Sequence, residues 1–442
     1  MLSSRLMRLL SSRREPLGVA IIGAGAMGKG ILYQMLITRG VRCLGLCDKN
    51  INTAVSCAEE LEIPYTVVET AAGVEDAIRA GRLPVCADGM LLAQSCYVET
   101  LVEGSSAIME GARFVIGAIE TGKHVVLMNA EIDLAFGPYF QQLAKKNGVI
   151  VSSCDGDQHG VLKTLIDDMN LWGFETVMAG NIKGYLDRYA NPTMIAPEAD
   201  KRRLDYKMCT AYTDGTKLCI EMALVANALG LRTPKPGMTG PRASHVDEVL
   251  ACFDLEALWA DGQPVVDYVL GARPGGGVFA IGYHEHPFQS FMMNYYKMGE
   301  GPFYVFYRPY HLCHVESIAS IVLPALDGEA LLRPDQGFCT DTFAYAKKDL
   351  QAGEMLDGIG GHACYGLIEN VGAAQSHPGL QICLTENIRL KKDLRKDEPV
   401  LLSDVEIDPG REDFRLRSLA VEAVGAVPEN EKEASCLQFS LS

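Results

Sequence analysis

Leu17-Gly18-Val19-Ala20-Ile21-Ile22-Gly23-Ala24-Gly25-Ala26-Met27-Gly28 decides how the first third of the chain folds. Six apolar residues read as a buried parallel strand, and Ile31, Met35 and Leu36 recur after the glycines at helical spacing. Strand, glycine turn and helix in that order give the phosphate-binding turn of a Rossmann domain. Gly23 permits the tight turn, Gly25 lets backbone approach a pyrophosphate, and Gly28 lets helix and strand pack closely. The helix N-terminus, opening at Ala26 and Met27, offers N–H groups and a positive dipole end to the phosphates.

A second apolar run, Val41 to Cys47, ends at Asp48, 20 positions after Gly28. A carboxylate there accepts hydrogen bonds from the adenosine ribose hydroxyls and repels a 2'-phosphate. The sequence therefore favours NAD, with NADP as the alternative because Lys49 could still reach such a phosphate. Outward from this point, a helical stretch near Ala54 to Leu61 leads into what reads as a long acidic insertion through Ala87. The strand-like Tyr97 to Val102 then meets Glu103-Gly104-Ser105-Ser106, helix Ile108 to Glu120 follows, and Gly122 to Glu131 reads as another apolar strand that ends in polar residues. Ligands sit at the carboxyl ends of such strands, so Gly104, Ser105, Asn129 and Glu131 are candidate cofactor contacts. His124, at the opposite end, reads as structural. Gly148 to Ser153 closes the sheet before Cys154-Asp155-Gly156-Asp157.

Hydride transfer to or from a carbonyl needs a proton donor or acceptor and a group that stabilises developing charge. Lys183 follows the apolar run Thr176 to Ala179 and suits a strand-end loop that reaches substrate. Asp214-Gly215 reads as a hairpin turn, which puts Lys217 and Glu221 on one strand face as a proton relay or an ordinary ion pair. Asp155 is a further catalytic candidate and Asp157 a substrate-binding one; with His159 they sit on one short loop, too few ligands to predict a metal. Arg242 and Arg308, in proline-bordered loops, are the candidates for gripping a substrate anion, and His311 stands beside Arg308.

The whole sequence is 442 residues long, 48% hydrophobic and 22% charged, which suits two or three globular domains. Its net charge of -16 argues against nucleic acid or anionic membrane as partner. No apolar run is long enough to span a bilayer. The 14 dispersed cysteines lack C-x-x-C spacing and fit a reduced, cytoplasmic setting. Met1 to Arg14, rich in Arg and Ser, can be read as a transit peptide or as a short amphipathic helix packed on the domain edge. Lys347-Lys348-Asp349-Leu350 with Glu354 recurs 44 residues later as Lys391-Lys392-Asp393-Leu394 with Glu398, which predicts a small all-β module of two related halves. A helix from Pro409 and a disordered stretch from Pro428 end the chain.

These motifs resemble the homoserine-dehydrogenase-like oxidoreductases with a C-terminal SAF domain, including the deoxyxylulose-phosphate-reductoisomerase-like group. The resemblance runs from about Arg5 to Asp408. It rests on Gly23 to Gly28, Gly122 to Glu131, Asp214 to Lys217 with Glu221, Met238 to Ser244, Gly301-Pro302 and Arg308 to Leu312. The repeat, with Gly353-Glu354 and Asp397-Glu398, looks like the SAF (β-clip) part. The resemblance implies an α/β protein: a doubly wound Rossmann sheet over 1–155, an α+β substrate domain over 156–337, the SAF-like module over 338–410 and a C-terminal helix and tail over 411–442. It also implies a catalytic lysine at Lys183. Two departures matter. Homoserine dehydrogenases have lysine after the strand asparagine where Ala130 stands here, and the reductoisomerase-like enzymes use NADPH whereas Asp48 favours NAD. The expectation is an NAD(P)-dependent oxidoreductase acting on a small, anionic hydroxy or oxo compound, a phosphorylated sugar or polyol among them, and working as a homodimer or larger homo-oligomer. The alternatives are a redox-neutral isomerase or lyase that retains its NAD, an NADPH-dependent reductoisomerase-like enzyme, and a non-catalytic nucleotide sensor.

Overall fold

The computed structural model describes residues 2–202, 204–372 and 378–425; the tail expected to be disordered lies outside them. Seven parallel strands form the first sheet: β1 (Leu17–Ile22), β2 (Val41–Cys47), β3 (Tyr65–Val67), β4 (Leu83–Cys86), β5 (Thr100–Glu103), β6 (His124–Leu127) and β7 (Val151–Ser153). Their order is β3-β4-β2-β1-β5-β6-β7. Without the edge strand β3 this is the doubly wound order of a Rossmann sheet, with its switch point between β1 and β5. All six residues of β1 are buried because helices cover both faces.

The acidic insertion expected up to Ala87 is instead regular structure: β3, the helix Ala71–Arg79 and β4 extend the sheet. Strands of three and four residues are too short to display a period, which is why they were not readable. His124 is structural as expected, its Nδ1 accepting the Ile150 N–H at 3.1 Å. The helix Leu2–Ser12 buries Leu6 and Leu10 in the core of this unit.

The compact unit around this sheet comprises residues 2–157, 312–333 and 416–423, so the chain returns to it after the first stretch of the second unit. The contiguous division expected from sequence misses this return. Its cause is local: Leu331 N–H and Ser153 N–H hydrogen-bond to Ser152 Oγ and Leu332 O, extending the edge at β7, while Ile321, Val322 and Leu323 join the core.

The second unit holds 158–311 and 334–415. Its main sheet has the order β11-β10-β8-β9, with β8 (Glu175–Lys183), β9 (Val265–Leu270), β10 (Val278–Tyr283) and β11 (Phe303–Arg308). Only β8 and β9 are parallel. The C-terminal β module does not separate from it. The helix Thr216–Leu229 is buried from Thr216 through Ala228, on every side, as a helix between two layers must be. Its second wall is the pair β12 (Thr340–Ala346) and β14 (Cys364–Asn370), tied by Gly366 N–H to Thr216 Oγ1 and Thr340 N–H to Asn227 Oδ1 at 2.8 and 2.9 Å.

The rest of the module is β13 (Met355–Asp357), β15 (Glu386–Leu390) and β16 (Val405–Glu406), and the 44-residue repeat is its pseudo-twofold. Leu350 and Leu394 exchange N–H···O bonds. Gly353 N–H donates to Leu390 O and Asp397 N–H to Ala346 O, while Ala352 N–H donates to Asp393 and Lys396 N–H to Asp349, all at 2.8 Å. Gly353 and Asp397 occupy matching turns with φ of 86° and 69°.

Candidate active site

In the first unit, the glycines of the turn differ in what constrains them. A Cβ on Gly23, whose φ is +92°, would lie 2.7 Å from Gly104 O, and one on Gly28 would lie 1.8 Å from Gly23 O. Both are therefore fixed by close backbone packing. Gly25 is exposed, and a Cβ there would meet no atom within 4 Å. Nothing among the described residues requires glycine at that position, which is what a turn shaped around a ligand predicts. Gly25 also caps the helix Ala26–Ile37 without any side-chain hydrogen bond, so the first N–H groups, those of Ala26, Met27 and Gly28, have no side-chain cap. These residues fit a dinucleotide pyrophosphate.

Asp48 stands half-buried after β2 and Lys49 is exposed. The Asp48 carboxylate accepts the Ala24 N–H and the Asn50 N–H, both at 2.9 Å, so it steadies the glycine turn while keeping lone pairs for a ribose. At the end of β5, Gly104 and Ser105 border Glu103, which the sequence reading passed over. Glu103 is fully buried, and desolvation pushes its carboxyl up to about 8 despite hydrogen bonds from Ser105 Oγ and N–H. An acid at a strand end carries no sequence signal that separates a buried from a solvated position. Asn129 is the N-cap of the helix Ala130–Asn147: its Oδ1 accepts Ile132 N–H and its amide donates to Ala107 O, each at 3.2 Å. Its amide thus shapes the strand end, and Glu131, 4% exposed, is buried in the first helical turn. Asp155 turns its carboxylate onto Gly156 N–H while its own N–H donates to Ser320 Oγ, both at 2.7 Å, and Asp157 is buried near the Cys313 thiol. Asp155 thus braces its own loop.

In the second unit, the sheet register gathers candidates that are far apart in sequence. Lys183 is the last residue of β8 rather than part of a following loop, and it pairs with Leu270, which in turn bridges Arg242. Two residues earlier Asn181 pairs with Val278, which pairs with Arg308. Directly paired residues share a sheet face, as do positions i and i+2, so Asn181, Lys183 and Arg308 point the same way. His311 Nδ1 lies 2.7 Å from Gly276 O on the β9–β10 turn at that same end. Arg242 is exposed; Arg308 is half-buried with its guanidinium 5.0 Å over the Tyr310 ring.

Lys217 and Glu221 do not lie on a hairpin strand. Asp214-Gly215 does turn the chain, with Gly215 at φ +87°, but it joins the helices Tyr206–Asp214 and Thr216–Leu229. Glycine serves a helix C-cap as well as a hairpin, so the dipeptide could not tell them apart. The pair still shares a face, now by helical i,i+4 spacing, with Lys217 Nζ 3.8 Å from Glu221 Oε1 and both side chains buried. His159 and Glu221 present ligating atoms within 4.8 Å of one another. Lys183 Nζ donates to Tyr212 O at 2.8 Å. Burial pulls the Lys183 ammonium below the ordinary lysine range, and the nearby Glu221, Asp214 and Cys219 oppose that pull. Such an amine gives up its proton more readily than an exposed lysine does.

With this geometry in hand, residues 156–317 match the family model described as oxidoreductase DRL, catalytic domain. The chain therefore carries, after its Rossmann strands in sequence, an oxidoreductase catalytic domain and is an oxidoreductase. No curated protein matches it. Solved structures similar to it include deoxyxylulose-phosphate reductoisomerase of Zymomonas mobilis with NADPH, at 14% identity and TM-score 0.34, covering 47% of this chain and 57% of that one. A homoserine dehydrogenase of Thiobacillus denitrificans gives 15% and 0.43, covering 73% and 78%. GenD2 of gentamicin A biosynthesis with NAD gives 14% and 0.39, covering 73% and 90%. The chain spans little more than half the length of the reductoisomerases, and TM-scores below 0.5 do not bear on substrate or cofactor. Among the described residues no helix is long and apolar enough to cross a membrane.

Proposed function

We propose that this enzyme moves a hydride between a nicotinamide dinucleotide, NAD in preference to NADP, and a small hydroxy or oxo compound bearing an anionic group. The observation that carries the reading is Lys183, a half-buried amine of lowered proton affinity at a sheet end shared with Arg308, Arg242 and His311. Bound at the glycine turn, the dinucleotide would supply or take the hydride. In the oxidative direction, neutral Lys183 accepts the hydroxyl proton as the carbonyl forms. In reverse, its ammonium returns that proton. Glu221, itself paired with Lys217, and Asp214 set the charge around it, and the arginines grip the substrate anion in the manner their planar forks allow.

The C-terminal module supports an SAF-like reading through its paired halves. A homodimer is part of the same proposal, since β11 is an edge strand and Phe288, Phe291, Tyr295 and Tyr307 are exposed beside polar surface. Sedimentation of the purified chain at the mass of a monomer would remove that part.

The test is to denature freshly purified protein, identify any released nucleotide, and titrate stripped protein with NADH and NADPH. Exchangeable binding with NADH preferred supports the dehydrogenase. Stoichiometric retained NAD favours a redox-neutral isomerase or lyase, and preference for NADPH returns the reductoisomerase-like reading. Lys183→Met is expected to abolish turnover with nucleotide affinity nearly unchanged; equal loss of both makes Lys183 structural.

A further inference from the structure

We infer that the C-terminal β module is a positioning device for Lys183, acting through the buried ammonium of Lys347; the inference rests on the catalytic reading of Lys183. Lys347 follows β12 and is 3% exposed at its side chain. Its three donors are all matched: Asp214 Oδ2 at 2.9 Å, Ala190 O at 2.7 Å and Gly361 O at 2.9 Å. Those acceptors belong to three different segments. Gly361 lies in the module itself. Ala190 ends the segment that leaves β8 directly after Lys183. Asp214 is the last residue before Gly215 and the helix that carries Lys217 and Glu221. One cation therefore fixes the segment bearing the acid/base candidate against the start of the helix bearing its charged partners.

A second tie runs from the same module to the same segment. The Asp397 carboxylate accepts the Tyr189 hydroxyl at 2.9 Å and the Tyr365 hydroxyl at 2.8 Å, and Lys396 Nζ sits 3.4 Å over the Tyr189 ring. Asp397 occupies the left-handed turn whose counterpart in the other half of the repeat is Gly353. A carboxylate in that conformation costs more than glycine would. The halves thus differ where one of them reaches the Lys183 segment. Asp187 N–H donates to Thr213 O at 2.9 Å and completes the clamp between segment and helix.

The experiment uses the full chain and needs no substrate. Reductive 13C-methylation labels the lysines, Lys183→Arg assigns the Lys183 signal, and its titration is followed by NMR. The groups facing Lys183 are Glu221, Asp214 and Cys219. Lys347→Met alone leaves Asp214 buried without its cation and is expected to destabilise the protein. The double variant Asp214→Asn/Lys347→Met removes a neutral pair, so it is expected to recover the urea midpoint while the Lys183 titration moves up toward that of an exposed lysine, because a released segment lets water reach the amine. Because the Asp214 carboxylate itself holds the Lys183 titration up, the double variant is read together with Tyr189→Phe, which leaves all three facing groups in place; restored stability in the first with an unmoved Lys183 titration in the second overturns the inference. If the double variant does not fold, Tyr189→Phe decides, since Tyr189 is 38% exposed and its hydroxyl is dispensable for packing: a smaller upward movement supports the clamp and none refutes it. Failure of Lys183→Met to abolish turnover would reject the catalytic reading alone, because the titration reports position and not catalysis.

Discussion

Replacing Glu103 by glutamine should make the protein more stable above neutral pH. In the folded chain this carboxyl is fully buried at the end of β5 and desolvation lifts it from the ordinary 4.5 to about 8. Between those values the folded state holds a proton that the unfolded state has released. Stability then falls as pH rises through the window, since the unfolded form binds fewer protons. The window is about 3.5 pH units wide, and each is worth about 1.4 kcal/mol, giving a ceiling of about 5 kcal/mol. Water entry beside Ser105 lowers this, and about 2–3 kcal/mol is the expected loss between pH 5 and pH 9. Glutamine keeps an acceptor for Ser105 and has no charge to bury, so Glu103→Gln should be flat over that range. Urea melts at pH 5, 7 and 9 measure the difference directly. Parallel pH curves for the two proteins would show that Glu103 ionises freely in the folded state and would refute the argument.

Gly25→Ala should leave stability within about 1 kcal/mol, the scale of an N-cap change, because its Cβ meets no protein atom, yet weaken NADH binding at least tenfold by calorimetry. Gly28→Ala is the control: its Cβ would collide with Gly23 O, so a substantial drop in melting temperature is expected there instead. Asp48→Ser should raise affinity for NADPH relative to NADH in the same titrations, with Lys49 then able to meet the 2'-phosphate; an unchanged ratio would show that Asp48 serves only the Ala24 and Asn50 N–H groups.

What the sequence conveyed and what it withheld follow from range. The glycine turn, the carboxylate after β2 and the helix Ile108–Glu120 are local patterns with a mechanism attached, and the structure has them where the residues said. The 44-residue repeat was legible as similarity, but that Leu350 and Leu394 pair with each other depends on the fold closing them face to face. β3 and β4 were lost because three or four residues cannot show a period. The helix Thr216–Leu229 was misread for the opposite reason: buried on all sides, it has no polar stripe, and Asp214-Gly215 is a turn signal common to helices and hairpins. The return of residues 312–333 to the first sheet left no mark in composition at all.

The site shows the same division more sharply. Arg242, Lys183 and Arg308 stand out in the sequence separately, for their residue types and their neighbouring prolines or strand ends. That they belong to one sheet end is a property of register, carried by Leu270 and Val278, two apolar residues no functional reading would select. Lys347 is the harder case, because a lysine in a charged Lys-Lys-Asp run reads as solvated surface. Only its burial, with three acceptors drawn from three segments, separates it from Lys348 beside it, which makes an exposed ion pair with Glu354. An exposed pair of that kind is worth at most about 1 kcal/mol, whereas removing one partner of a buried one costs about 3–5 kcal/mol. Two adjacent lysines of the same repeat therefore differ in consequence through their surroundings alone, and the one that matters is the one whose partners lie more than a hundred residues away in Asp214 and Ala190.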